Sequence, residues 1–254
     1  EYGVMRDSLL PQLMSSLGRN AGHEETAMLF EIGKVFGKVS RKGQPELPVE
    51  RERIALGMLG PVGRESLRRR VAVTEEDAVL WLKGAVEELL AKLHAGKVTF
   101  APANHPAFAA ALQVVLNGKP IGVMGALSAK MRHPYRLTTQ MSLCELELKP
   151  LLKHVGETGR VSPVPQFPSV KRDIAISVAS GVTDETIVAA IVKNGGAQLV
   201  KVELFDMFKS SRAYSLEFRS GEKTLTDDEV GESFARIVDA LQNVPGVEVR
   251  QGRN

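Results

Sequence analysis

The chain has 254 residues, of which 43% are hydrophobic and 25% charged, with a net charge of +3. That length points to one large or two ordinary domains, and the composition is that of a chain able to bury a core. The single cysteine, Cys144, excludes a disulfide framework and any multi-cysteine metal site. It lies between apolar neighbours, where a small buried side chain is expected. No apolar stretch reaches the length of a membrane span and no signal peptide is visible, so a reducing cytoplasm is expected. The chain opens at Glu1, in mid-pattern and without a methionine, and reads as a fragment of something longer. Twelve of the 33 Lys and Arg and thirteen of the 30 Asp and Glu lie after Gly159, which leaves that part at −1 and the preceding part at +4. Any RNA site in the second half is therefore expected to be a local patch.

In chain order, Leu9 to Leu17 reads as a helix, with Pro11 tolerable near its first turn. Met28 to Phe36 and Ile54 to Leu59 read as strands, separated by a soft region at Arg41 to Pro48 expected to be an exposed hairpin or loop. Asp77 to Leu93 is an amphipathic helix, with Val79, Leu82, Val86, Leu89, Leu90 and Leu93 at helical spacing and acids near its start. Phe100 to Pro102, Leu112 to Leu116, Pro120 to Ala126 and Leu143 to Leu148 follow as strands. Asn117-Gly118 is a two-residue hairpin turn between two of them. Hairpins around one long helix indicate a mainly antiparallel sheet with helices, an α+β arrangement.

Gly156 to Pro168, with two glycines and three prolines, has linker chemistry and divides the chain into expected domains 1–159 and 160–254. Beyond it the order is strand Val170 to Ala179, helix Asp184 to Asn194 stopped by Gly195-Gly196, and strands Leu199 to Phe208 and Arg212 to Ser220. Helix Thr226 to Gln242 follows, with Thr226 and Glu229 at capping-box spacing, and strand Val247 to Arg250 closes the order. This is β-α-β-β-α-β, the split arrangement of ferredoxin-like folds.

FPSVKRDIAI at Phe167 to Ile176, ELFDMF at Glu203 to Phe208, AYSLEFRS at Ala213 to Ser220 and KTLTDDEV at Lys223 to Val230 resemble the ferredoxin-fold anticodon-binding domain. That domain ends the β subunit of bacterial phenylalanyl-tRNA synthetases. MRDSLLPQL at Met5 to Leu13, LFEIGKVF at Leu29 to Phe36, LKGAVEELL at Leu82 to Leu90, HPAFAA at His105 to Ala110, IGVMGAL at Ile121 to Leu127 and CELEL at Cys144 to Leu148 look like the same subunit's class-II-synthetase-like domain. Two departures stand out. The family has a longer Gly- and Lys-containing loop where this chain runs Phe208 to Arg212, so either the hairpin is shortened or residues are missing from this chain. The family also has an acidic-aromatic run where this chain has Asp77 to Trp81. The resemblance implies a scaffolding and tRNA-binding role in ATP-dependent charging of tRNA with phenylalanine. It also implies an α subunit that performs the chemistry with ATP and magnesium, a phenylalanine tRNA as partner, and a holoenzyme of two α and two β subunits. No cofactor is expected in this segment.

A class II site holds ATP with two arginines, whose planar fork matches phosphate oxygens. After LFEIGKVF this chain has Gly37, and Lys38 is turned by strand alternation to the opposite face. Ile121 to Ala129 holds no arginine, and the nearest is Arg132. The first half is therefore expected to be non-catalytic, with Arg6 in a structural ion pair. His105 and His133 each precede a proline without a carboxylate or cysteine at metal spacing, and turns account for them. Arg68-Arg69-Arg70 is by default a solvated charge run, and Gly57, Gly60 and Gly63 form no phosphate loop.

In the second half, alternation predicts Ile174, Ile176, Val178, Tyr214, Leu216 and Phe218 under the helices. Lys171, Asp173, Ala175, Ser177, Ala213, Ser215, Glu217 and Arg219 are expected on the open face. Leu199, Lys201, Glu203, Phe205 and Met207 are assigned outward as one set. An open face with small residues in the middle and basic residues at its rim suits a single-stranded loop. Phe205 would stack a base, and Lys171, Arg172, Lys201 and Arg219 would meet phosphates. Two other readings stay open: Phe205 as a core residue, and Arg172-Asp173 as an ion pair fixing the strand start. Two other functions also remain. An ACT-like amino-acid-binding regulatory module shares the topology and would be stabilised by free amino acids. A free-standing RNA-binding or interaction protein would lack upstream coding sequence.

Overall fold

The computed structural model describes residues 4–39, 47–61, 74–154 and 164–250. Residues 41–46, Gly63, Arg68-Arg69-Arg70 and residues 156–163 of the proline-rich stretch lie outside the described residues. The chain forms two compact units, Glu1–Arg160 and Val161–Asn254.

The first unit is a six-stranded antiparallel sheet of β1 (Ala27–Val39), β2 (Leu47–Leu59), β3 (Val98–Ala103), β4 (Phe108–Leu116), β5 (Lys119–Leu127) and β6 (Met141–Glu147), in the order β1-β2-β6-β5-β4-β3. Strands β1 and β2 pair without a break over thirteen residues each. They outrun the apolar stretches because their distal ends alternate charges, with Lys34 reaching Glu50 at 2.9 Å. Asn117 and Gly118 both have positive φ, 50° and 77°, as a tight hairpin turn between twisted strands requires. The Asn117 amide also ties Lys97 N–H and the Ala95 carbonyl into the turn.

Helix α2 (Glu75–Lys92) covers one face and packs Leu82, Val86 and Leu90 against Ile54, Val114, Met124 and Leu146. It starts two residues before the expected Asp77, because Thr74 and Asp77 cap it reciprocally. Cys144 is fully buried in this core, and burial pushes its thiol far above its ordinary pKa. Two short helices, α3 (Ala129–Arg132) and α4 (Leu148–Leu151), flank β6.

Helix α1 (Leu10–Asn20) covers the other face through Leu13 and Leu17, against Ala55, Leu59 and Leu143. The Ser8 hydroxyl accepts from Leu10 N–H at 3.1 Å, but the N-cap residue, Leu9, has no side chain able to cap the first turn. Glu145, only 5% exposed on β6, does so from across the sheet. Its carboxylate accepts from Leu9 N–H at 2.5 Å and the Ser8 hydroxyl at 3.1 Å, and pairs with Arg53 at 3.1 Å. A carboxylate at the positive end of a helix, fully hydrogen-bonded, turns a costly buried charge into a clamp.

The second unit is β7 (Val170–Val178), α5 (Asp184–Gly195), β8 (Leu199–Phe208), β9 (Ser211–Phe218), α6 (Asp227–Gln242) and β10 (Val247–Arg250). Its sheet order is β10-β7-β9-β8, all antiparallel. Both helices lie on one face, where Ile187, Ile191, Val230, Ile237 and Leu241 meet Ile174, Ile176, Tyr214, Leu216 and Phe218. Thr183 caps α5, and Thr226 with Glu229 forms the expected capping box of α6. The β8–β9 hairpin closes through only two residues, Lys209 and Ser210, with Lys209 at φ +54°.

Replacing Glu145 by Ala strands Arg53 and the Leu9 N–H. We expect a loss of about 3 kcal/mol in the urea unfolding of the first unit. Glu147→Ala, whose carboxylate is 43% exposed and 3.9 Å from Arg53, should cost well under about 1 kcal/mol in the same experiment.

Candidate nucleic-acid interface

Side chains directly opposite each other on antiparallel strands share a face. Because Tyr214, Leu216 and Phe218 lie under the helices, the pairings assign the rest of the sheet. Four rows cross the open face: Lys171–Glu217–Lys201, Asp173–Ser215–Glu203, Arg250–Ala175–Ala213–Asp206 and Glu248–Ser177–Ser211–Phe208. Its centre is a floor of small side chains, Ala175, Ser177, Ser211, Ala213 and Ser215. At one edge of that floor stand the Asp206 carboxylate and the Phe208 ring, which is 68% exposed.

The expectation that Leu199, Lys201, Glu203, Phe205 and Met207 share the outward face is corrected in part. Register shifts lie between Leu199 and Lys201 and between Leu204 and Asp206, leaving Val200 and Phe205 as unpaired bulge residues. Each bulge reverses the alternation. Lys201 and Glu203 do face outward, but Leu199 pairs with Phe218 and belongs to the core, and Met207 pairs with Arg212 on the helix side. Phe205 is 56% exposed, which excludes the core reading for it.

The cations differ in their freedom. Lys201 is held by Glu203 at 2.5 Å, which raises the ammonium pKa and lowers that of the carboxylate. Arg219 pairs with Glu217 at 2.7 Å. Arg172 lies opposite Leu216 on the helix side and pairs at 2.6 Å with Asp227 at the start of α6, not with Asp173. Lys171 has no ion-pair partner among the described residues. Phe208 and Asp206 were missed by alternation from the start of the strand. Counting back from a two-residue turn, which sets Phe208 opposite Ser211, would have found them.

The hairpin bearing Phe208 is anchored from beneath. Tyr214 is fully buried and donates its hydroxyl to Asp184 at the start of α5, while Arg212 lies 3.7 Å from the same carboxylate and donates to Val182 O at 3.5 Å. Desolvation first, then the hydrogen bond to Asp184 and that carboxylate's charge, push the Tyr214 hydroxyl pKa well above its ordinary value.

In the first unit, Gly37 shares the face of Glu31, Gly33 and Val35, while Lys38 lies on the other. Arg6 lies across Gly33, where any Cβ would run into its guanidinium. Its Nε donates to Lys34 O at 2.9 Å, and its Nη1 donates to Gln12 and to Glu31, the latter at 2.6 Å. Arg53 is held by Glu145, and Arg132 donates to Leu127 O and Thr139 O. These three arginines spend donors inside the protein, and among the described residues they do not form a pair free to fit a nucleoside triphosphate. His105 accepts from Ala107 N–H and stacks on Phe108, as a turn residue.

A family model described as the phenylalanyl tRNA synthetase beta chain CLM domain matches residues 1–148, and one for the ferredoxin-fold anticodon binding domain matches residues 165–250. Among similar proteins is a phenylalanine–tRNA ligase beta subunit of Clostridium acetobutylicum, 30% identical over 98% of this chain and 31% of that protein. Those of Symbiobacterium thermophilum and Geobacillus kaustophilus are each 32% identical over 98% of this chain and over 28% and 32% of their own length. The chain thus spans about a third of the relatives it matches.

The Tyr214 hydroxyl yields a pH test. Folded, it keeps its proton above the value of about 10 at which an unfolded tyrosine ionises, so its contribution is complete below that pH and lost as pH rises above it. Wild-type unfolding free energy should fall between about pH 9.5 and 11 more steeply than that of Tyr214→Phe. At neutral pH that variant should be less stable by about 1–2 kcal/mol.

Proposed function

We propose that this chain, which belongs to the phenylalanyl-tRNA synthetase β-chain family, is the part of a phenylalanine–tRNA ligase β subunit that holds the tRNA anticodon loop and scaffolds the subunit. The observation that carries this reading is the open face of the second unit. An exposed aromatic ring and an exposed carboxylate there border a floor of small residues, with lysines at the far rim. An unpaired base stacking on Phe208 would gain about 1–3 kcal/mol. Asp206, acceptor-only when ionised, suits the N–H donors on a base edge. Lys171, with no ion-pair partner among the described residues, is the first choice for a phosphate. Lys201 and Arg219 would have to be drawn from Glu203 and Glu217. Arg172, on the helix side, would have to leave Asp227 to contribute, and Phe205 offers a second exposed ring.

The first unit serves as scaffold, with Arg6, Arg53 and Arg132 held in its own ion pairs. Aminoacylation with ATP and magnesium falls to an α subunit, in a cytoplasmic assembly of two α and two β subunits. The chain alone should therefore show no phenylalanine-dependent pyrophosphate exchange, and detectable exchange would refute the scaffold reading.

Binding of a phenylalanine-tRNA anticodon stem-loop tests the second unit. Saturable binding is expected, weakened by salt. Lys171→Ala with Lys201→Ala should flatten the log–log salt dependence by about 1.4, at roughly 0.7 per single-strand phosphate contact. Phe208→Ala should weaken binding by roughly 5- to 150-fold. A Phe208→Ala chain that binds like wild type would remove the ring from the interface.

A further inference from the structure

The last row of the open face runs from Phe208 through Ser211 and Ser177 to Glu248, roughly 14 Å across three inter-strand spacings. At the Glu248 end it drops into a concavity of about 530 Å³, bounded by the end of β7, the start of β10 and the last turn of α6. That volume is within the range of sites that take small organic groups. Ser177 and Glu248 belong both to the row and to the concavity wall, so floor and hollow are continuous.

The lining chemistry is selective. Among the described residues no lysine or arginine lines it, and the negative end of α6 opens into it beside Glu248, which favours hydrogen-bond donors over phosphate. The Asn243 amide nitrogen is committed to Asp239 O, which leaves its oxygen as an acceptor. The Ser177 and Ser210 hydroxyls stand 3.4 Å apart at the rim. Gln242 makes no side-chain hydrogen bond among the described residues, so it offers both an acceptor and donors. Ala179, Val244 and Pro245 add an apolar part to the lining. An acceptor-rich hollow with one apolar wall matches the amino-bearing edge of an unstacked nucleobase.

We propose that this concavity is a second base-binding site, taking by its amino edge a further unpaired base of the same loop that stacks on Phe208. The inference rests on the anticodon-loop reading of the open face. The loop is then held at two points: a ring and carboxylate at one end of the row, and acceptors at the other.

The test uses the whole chain and the phenylalanine-tRNA anticodon stem-loop carrying 2-aminopurine at one loop position at a time. At least one position should brighten on binding wild type and lose that change in Gln242→Ala, with affinity falling about threefold to tenfold. Ala179→Phe, which fills the exposed hollow without touching its acceptors, should lose the same signal. Phe208→Ala should alter a different loop position. If both hollow variants keep wild-type affinity and every fluorescence change, the second site is wrong while the open-face reading stands. If wild type does not bind the stem-loop at all, the open-face reading fails and the second site falls with it.

Discussion

Tyr214 stands in the middle of the central strand of the second sheet, its ring in the core with side chains of α5 and α6 and its hydroxyl on Asp184. That contact holds β9 in one register between β7 and β8, and the whole solvent face follows from it. A slip by one residue would turn Tyr214, Leu216 and Phe218 out together, at a cost of roughly 5–9 kcal/mol. That is comparable with the entire stability of a domain. The identity of the side chains beside Phe208 is thus set by a residue that no ligand on the open face can touch.

The first unit is organised by a buried charge. Glu145 joins β6, β2 and the start of α1 in one place, and Arg53 is drawn into the same network. Arg6 repeats the pattern at the edge of the sheet, where its backbone carbonyl accepts from Phe36 N–H and its side chain spans Gly33 to reach Glu31. Arginines of the type that grips phosphate in an enzyme are present in this unit, but Arg6, Arg53 and Arg132 each turn donors to groups of their own fold.

Much of this architecture was legible in the residues. Strands β8 and β10, the Asn117-Gly118 turn and the Thr226–Glu229 box follow from local chemistry, and the structure has them where the sequence puts them. What was not legible is long-range or depends on an irregularity. Nothing near Leu9 announces that its N–H will meet Glu145, 136 residues away. Strand alternation cannot foresee a bulge, and two of them in β8 turned Leu199 and Met207 to the other face. The candidate cations were easy to find by type, but which acids occupy them depends on face and fold: Lys201 and Arg219 each pair with an acid two residues away along the same strand, and Arg172 with one at a helix start.

The same two irregularities bear on how the protein behaves in a crowded solution. Among the described residues strand β8 is the outermost of its sheet, with Val200, Phe205 and Met207 all more than half exposed, the composition of a strand that recruits others. An incoming strand needs an even ladder of N–H and C=O groups. Here the ladder is interrupted on both sides of Lys201–Leu204, so only that short run is in step. Straightening β8 by deleting a bulge residue would therefore exchange a soluble edge for a self-templating one, at a place where the side chains already favour aggregation.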